Sequence, residues 1–256
     1  MRRRRSPTVD QRHAPVLERI QALKAEHPFW GSRRIWAQLP VAEGLAVNTK
    51  RIVRLMREHG LLVPGNSRLK ATRTPTRSKP RPTAPKQWWG LDMTKVMVEP
   101  LGWVYVVIVL DWDTKKIVGH DVGLQATTSQ WLAALDSAVQ RQVPLGSRDH
   151  GFHLMSDHGC QPTAVAFLKA CTTLGITQAF TSDNTPKGNA ETERLLRTLK
   201  EELLWLREWT SPLELEQALV AWIEWDHTRS LHAALGYRTP CQVEQQLSHS
   251  TQFVAA

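Results

Sequence analysis

MSDHGCQPTAVAFLKACTTLGITQAFTSDNTPKGNAETERLLRTLKEE, residues 155–202, is the stretch whose reading decides the fold. It opens at the end of an apolar run, Phe152–Met155, and passes through a helix-like apolar pattern, a short apolar segment and a Pro/Gly loop. It closes on NAETERLLRTLKEE. Asp157 directly follows the first apolar run, and Glu193 lies near the start of the last helical pattern, with 35 residues between them. A third carboxylate, Asp92, follows WWGL in a separate strand-like segment.

Upstream, Trp88–Val96, Trp103–Asp111 and Lys116–Val122 are β-rich runs. Pro100-Leu101-Gly102 and Asp113-Thr114-Lys115 supply turn chemistry between them. A helix over Thr128–Arg141, a strand over Phe152–Ser156, a helix over Pro162–Leu174, a strand over Gln178–Thr181 and the Glu193 helix follow. Three antiparallel strands and then alternating helix and strand predict an α/β fold of ribonuclease-H-like order, a mixed five-stranded sheet with flanking helices. Its centre strand would present Asp92 beside Asp157 at adjacent strand ends.

Carboxylates near one point repel: a like-charged pair about 4 Å apart at an effective dielectric near 20 costs roughly 4 kcal/mol. A divalent cation removes that cost. Mg²⁺ (or Mn²⁺) takes oxygen ligands and typically binds through one or two carboxylates plus substrate phosphates. Two ions about 3.5–4 Å apart suit phosphodiester chemistry, one acting on the attacking oxygen and one on the leaving oxygen.

Asp111 and Asp113 compete with Asp92, but they sit at a strand end and a turn, where Asp commonly bonds local backbone. Asp is disfavoured within a strand bordered by tryptophans unless something pairs with it, which favours Asp92. Glu191 competes with Glu193. At roughly 100° per residue, Arg197 and Lys200 fall within about 40° of Glu193, whereas Glu191 lies about 160° away. Leu195, Leu196, Leu199 and Leu203 cluster on another side. Glu193 thus shares a face with two cations suited to phosphates; the plain alternative is an i,i+4 Glu–Arg pair worth a few tenths of a kcal/mol.

These residues resemble the DDE transposase and retroviral-integrase superfamily. Asp92, Asp157 and Glu193, their spacing, and the words LDMTKV, SDHG and NAETERLLRTLKEE are similar to the OrfB-type transposase of bacterial insertion sequences, in the family called insertion sequence three. The resemblance covers most of the chain. It implies metal-dependent DNA cleavage and strand transfer, with Asp92, Asp157 and Glu193 as catalytic residues and ligands of two Mg²⁺ (or Mn²⁺) ions. Arg197 and Lys200 would position phosphates; the family has a lysine seven residues after its glutamate. Implied partners are the terminal inverted repeats and target DNA, a second copy in a homo-oligomer on DNA, and an upstream-frame OrfA product or an OrfAB fusion. The start of the motifs near Arg12 is expected of the second frame alone. Asn189 fits the family's Asn-Ala word and equally suits an N-cap. His158 is either a substrate contact or a polar loop residue.

Two departures stand out. No cysteine precedes Cys160, so the His/Cys zinc module of retroviral integrases cannot be built from His13, His27 and His59. The closing segment HTRSLHAALGYRTPCQVE lacks the family's Tyr-Asn pair and Arg-Pro-His.

Charge divides the chain. Residues 1–86 hold 20 Lys/Arg against 5 Asp/Glu, or +15, and residues 87–256 hold 13 against 19, or −6. The N-terminal third therefore supplies the attraction for a polyanion. Val16, Leu17, Ile20 and Leu23 predict a helix over 12–25, Ser32 a capped helix with Ile35, Trp36 and Leu39, and Asn48 a capped helix with Ile52, Val53, Leu55 and Met56 closed by Gly60. This is a small all-α helix-turn-helix-like N-terminal domain, 1–65. Its third helix carries Lys50, Arg51, Arg54 and Arg57, suited to DNA phosphates or to a plain solvated face. The connection Pro40–Val47 is long for such a turn. Arg2–Arg5 is either a solvated tail or a DNA contact.

Residues 66–86 interleave prolines with Arg and Lys and read as a basic Pro-rich linker. The catalytic core is expected at 87–210 and a C-terminal helical extension at 211–256, with Leu213, Leu215, Leu219, Trp222, Ile223 and Trp225 facing the core. Three scattered cysteines and no signal-peptide core predict a cytoplasmic protein, and the resemblance implies one associated with the nucleoid. No GxSxG, Walker loop or HExxH occurs, and two tyrosines, Tyr105 and Tyr237, make a tyrosine recombinase hard to build. A DNA-binding regulator with a vestigial triad, or a ribonuclease-H-like nuclease that cuts without joining, are the alternatives.

Overall fold

Apolar residues at helical spacing fix three helices at the N-terminus. Val16, Ile20 and Leu23 of α1 (Pro7–Glu26), Ile35 and Leu39 of α2 (Ser32–Glu43), and Ile52, Leu55 and Met56 of α3 (Thr49–Glu58) are all buried. The computed structural model describes residues 7–63, 81–181 and 188–254. The chain divides into two units, 1–73 and 74–256. Arg2–Arg5 and most of the linker read from 66–86 lie outside the described residues.

In the first unit two details differ from expectation. Gly31, not Ser32, occupies the N-cap of α2, and no side chain caps it. The helix also runs through Pro40, so its connection to α3 is 44–48. Pro40 is tolerated because it lies in the last turn, where Gly44 at φ 63° closes the helix by donating to the Pro40 carbonyl. Asn48 caps α3 as expected, its side chain accepting from Lys50 N at 2.8 Å.

The second unit is built on a sheet of order β3-β2-β1-β4-β5. Its strands are β1 (Trp88–Val98), β2 (Gly102–Asp111), β3 (Ile117–Gly123), β4 (His153–Ser156) and β5 (Thr177–Phe180). The first three pair antiparallel, and β4 joins β1 and β5 in parallel. Side-chain alternation splits β2 between two cores. Val104, Val106, Ile108 and Leu110 enter one with α6 (Ala190–Leu199) and α7 (Pro212–Thr228). Val107 and Val109 enter the other with α4 (Thr128–Gln142) and α5 (Val165–Leu174).

The tail belongs to the first of these cores. Leu215, Leu219, Trp222 and Ile223 of α7 are buried in it and Trp225 packs against it, but Leu213 is 63% exposed and does not face the core as expected. It sits in the first turn, on the outward side of the helix. A further helix, α8 (Pro240–Val254), lies within the segment 211–256 expected to be helical. Its signal is a capping box: Gln242 N donates to Thr239 Oγ1 and Thr239 N to Gln242 Oε1, with Pro240 at the first helical position. No helix among the described residues is long and apolar enough to cross a membrane.

His227 of α7 is buried and its Nε2 accepts from Ile117 N at 2.9 Å, so it must be neutral to serve the sheet. Burial lowers its pKa to about 4. The unfolded chain therefore binds this proton first, and the stability His227 contributes is full above about pH 6.5 and lost as pH falls through about 4. Urea melts are expected to show the advantage of the native chain over His227→Gln shrinking between about pH 7 and pH 4.5; a pH-independent difference contradicts this.

Candidate active site

Sheet register brings two of the acids together. Trp88, Trp89 and Gly90 of β1 pair in parallel with His153, Leu154 and Met155 of β4. Carrying that register two residues on sets Asp92 level with Asp157. Asp92 is half-buried on the centre strand, and Asp157 stands exposed just beyond the end of β4.

Glu193 arrives from the first turn of α6, which lies against β1 because Gly90 has no side chain. A Cβ there would meet Thr192 Oγ1 at 1.9 Å, Trp112 Nε1 at 2.4 Å and Asn189 Oδ1 at 2.9 Å. The approach is secured by hydrogen bonds: Trp112 Nε1 donates to Thr192 Oγ1 at 3.1 Å, and Asn189 Nδ2 to the Leu91 carbonyl at 3.3 Å. Asn189, buried, occupies the N-cap position but makes no side-chain cap bond; it ties the helix to the residue preceding Asp92. Gly90, Trp112 and Thr192 were missed in the sequence, although a glycine inside a strand is itself a sign of close backbone approach.

Electrostatics record the convergence. Burial raises the Asp92 carboxyl from the ordinary 3.8 to about 6; the Met93 N–H opposes this, the charges of Asp157 and Glu193 add to it, and Lys200 lowers it. Both other acids and one of the expected cations therefore lie within electrostatic reach. Among the described residues no three His, Cys, Asp or Glu groups are already gathered closely enough to hold an ion.

The rival acids are otherwise engaged. Asp111 is 2% exposed, and its oxygens accept from Lys86 N, Trp89 Nε1, Asp113 N and Thr114 N. Glu191 pairs with Lys115 Nζ at 3.0 Å, on a different side of α6 from Glu193. Arg197 pairs with Glu201 at 2.9 Å and is 65% exposed. Beyond Leu199 the helix widens into a π-helical turn, Lys200–Leu204. His158 is exposed and meets the edge of the Phe180 ring. In the first unit Lys50 and Arg57 are exposed, whereas Arg51 Nε donates to His13 Nδ1 at 2.9 Å and Arg54 Nη2 lies 3.0 Å from His13 Nε2.

With the carboxyl held near 6, the folded chain binds the Asp92 proton more tightly than the unfolded chain. Its stabilising contribution is full below about pH 3.8 and lost as pH rises through about 6. In the absence of divalent ions, Asp92→Asn is expected to stabilise the chain by roughly 1–2 kcal/mol at about pH 7.5, allowing for partial solvent screening. At about pH 3.5 urea midpoints should coincide; destabilisation at the higher pH would contradict the assignment.

Family comparisons agree with this architecture. Residues 11–68 match an HTH-like domain, and residues 82–186 and 174–240 match two integrase core domain models. The transposase for insertion sequence element IS629 of Shigella sonnei is 29% identical over 247 residues, covering 92% of this chain and 80% of the relative. The chain belongs to the integrase-core transposases of bacterial insertion sequences. The transposase for IS904 of Lactococcus lactis is 27% identical, covering 94% of this chain and 98% of its own. A chain of the simian T-cell lymphotropic virus intasome solved with PP2A regulatory subunit B56 gamma shares the fold at a TM-score of 0.51 and 14% identity, covering 87% of this chain and 73% of that one. This transposase is a DDE-type polynucleotidyl transferase that acts in DNA transposition.

Proposed function

We propose that Asp92, Asp157 and Glu193 are the transposase's catalytic acids, and that they hold two divalent ions, Mg²⁺ or Mn²⁺, during cleavage and strand transfer. The observation that carries this reading is the coupling of both other acids to a half-buried Asp92, which makes the trio costly without a cation. An all-oxygen donor set also fits a hard divalent ion, and integrase core domains depend on divalent metal. When bound, the ions act as Lewis acids on the attacking and leaving oxygens of the phosphodiester.

The chain's own residues then have distinct tasks. Asp92, fixed by the sheet, anchors the site; Asp157 completes it from the adjacent strand end, and Glu193 closes it from a helix held by Gly90 and Asn189. Lys200, and Arg197 once a phosphate competes with Glu201, position the DNA backbone. Cleavage at the element's terminal repeats frees a 3′-hydroxyl, and the same site presents that hydroxyl to target DNA. Domain 1–65 grips DNA through Lys50, Arg51, Arg54 and Arg57. The linker 66–86 follows the duplex, 87–210 carries the chemistry, and 211–256 braces the sheet. The working state is an oligomer on DNA, joined by an upstream-frame OrfA product.

The test is an assay of labelled end DNA and a target plasmid with Mg²⁺, with and without the upstream-frame product. Joined product supports the reading; cleavage alone indicates a nuclease, and DNA binding without either reaction indicates a regulator. A second expectation concerns salt. Log affinity should fall against log salt by about 0.9 per neutralised phosphate, and deleting residues 1–86 should flatten that slope. An unchanged slope contradicts the division of charge.

A further inference from the structure

Where β1 runs past the end of β4, its outer edge borders the segment 204–209, which touches it at the Val98–Trp209 bridge. Between them lies a groove of about 300 Å³. It is lined by Met97, Trp103 and Trp205, which are 46%, 46% and 62% exposed. Leu101 in the adjoining hairpin and Leu206 beside Trp205 are also exposed. Together these side chains present on the order of 500 Å² of mainly apolar surface, the size at which a patch on a monomer usually marks an interaction site.

The charges around the groove indicate the kind of partner. Lys95 and Arg207 are balanced by Glu99 and Glu208. Lys95 lies over the Trp103 ring at 4.3 Å and Arg207 over the Trp209 ring at 4.1 Å. Arg207 also reaches Glu214 at 3.7 Å, while Glu99 and Glu208 have no ion-pair partner among the described residues. A DNA-binding groove would need an excess of cations. An apolar centre flanked by one cation, Lys95, and two acids unpaired among the described residues, Glu99 and Glu208, is instead self-complementary: under two-fold symmetry each Lys95 can face an acid of the other copy.

We propose that this groove is an interface for a second copy of the chain, with Trp103 and Trp205 at its apolar centre and Lys95 opposite Glu99 and Glu208 at its rim. The groove's apolar patch would form the centre of the roughly 800 Å² per partner that a stable pair buries. The surface lies five residues along β1 from Asp92, about 16 Å at strand rise, so it joins copies without covering the acids.

Sedimentation velocity on the full chain, alone and on a duplex carrying the element end, tests this. The native chain is expected to dimerise, and Trp205→Glu to weaken dimerisation at least about thirtyfold with an unchanged melting temperature. A Lys95→Glu chain and a Glu99→Lys/Glu208→Lys chain should each be monomeric alone and form a heterodimer when mixed, a rescue that misfolding cannot imitate. The proposal is overturned if the native chain is monomeric in both settings, if Trp205→Glu leaves the dimer intact, or if the mixed chains stay apart. It is equally overturned if Trp205→Glu lowers affinity for DNA with no change in oligomeric state.

Discussion

Asp157→Asn is expected to lower strand transfer by about a thousandfold or more, equivalent to roughly 4 kcal/mol of transition-state stabilisation, while leaving DNA affinity within about twofold. Exchanging the carboxylate for an amide keeps volume and shape but removes the charge that a metal needs. Asp157 is exposed just beyond β4. Among the described residues its side chain accepts a single long bond, 3.3 Å, from Gly159 N. The fold should therefore survive. Glu193→Gln should behave alike, whereas Asp113→Asn and Glu191→Gln should retain activity within a few-fold. Asp113 belongs to the turn before β3, and Glu191 is held by Lys115. A joining assay run beside a gel-shift titration separates these outcomes; full activity of Asp157→Asn would remove it from the site.

Gly90→Val is the second large effect. Its Cβ alone would stand 1.9 Å from Thr192 Oγ1 and 2.4 Å from Trp112 Nε1, both on buried side chains that hydrogen-bond each other. Neither can swing away without losing its partner, so α6 must lift from β1. Overpacking of this kind costs typically 1–3 kcal/mol, and a branched residue should reach the upper end. Activity should suffer more than stability. Lifting α6 carries Glu193 away from Asp92, and a misplacement of about 1 Å can cost on the order of a hundredfold in rate. Urea melts and joining assays on the same preparation are the check; near-native joining by Gly90→Val would mean that contact between α6 and β1 does not position Glu193.

Much of this architecture was legible in the residues because the strongest signals are periodic. The β-rich runs around Asp92 and the leucines of α6 each repeat on one face, and the structure places all five strands within two residues of the expected bounds at every edge. Helix angle and the family resemblance separate Glu193 from Glu191 in the sequence, and in the structure Glu191 is paired with Lys115. Less could be read where a contact joins residues distant in sequence. Nothing local announces that Trp112 donates to Thr192, 80 positions away. Lys200 was placed on the Glu193 face by a regular 100° step, yet the chain turns π-helical at that residue; its effect on Asp92 became visible only in the folded chain. Arg197 has a glutamate four residues away on either side, Glu193 and Glu201, so spacing alone does not tell which it pairs with; the structure shows the Glu201 pair. Pro40 misled for a different reason: a proline in the last helical turn forfeits little, so α2 continues to Glu43.

The central claim, that Asp92, Asp157 and Glu193 hold divalent ions, is met most directly by anomalous diffraction from crystals of this chain soaked in Mn²⁺. Anomalous density within about 2.2 Å of carboxylate oxygens of Asp92 and Asp157, and lost in Asp157→Asn crystals, is the predicted result. Density elsewhere on the chain, with these three acids left uncoordinated at saturating Mn²⁺, would contradict it.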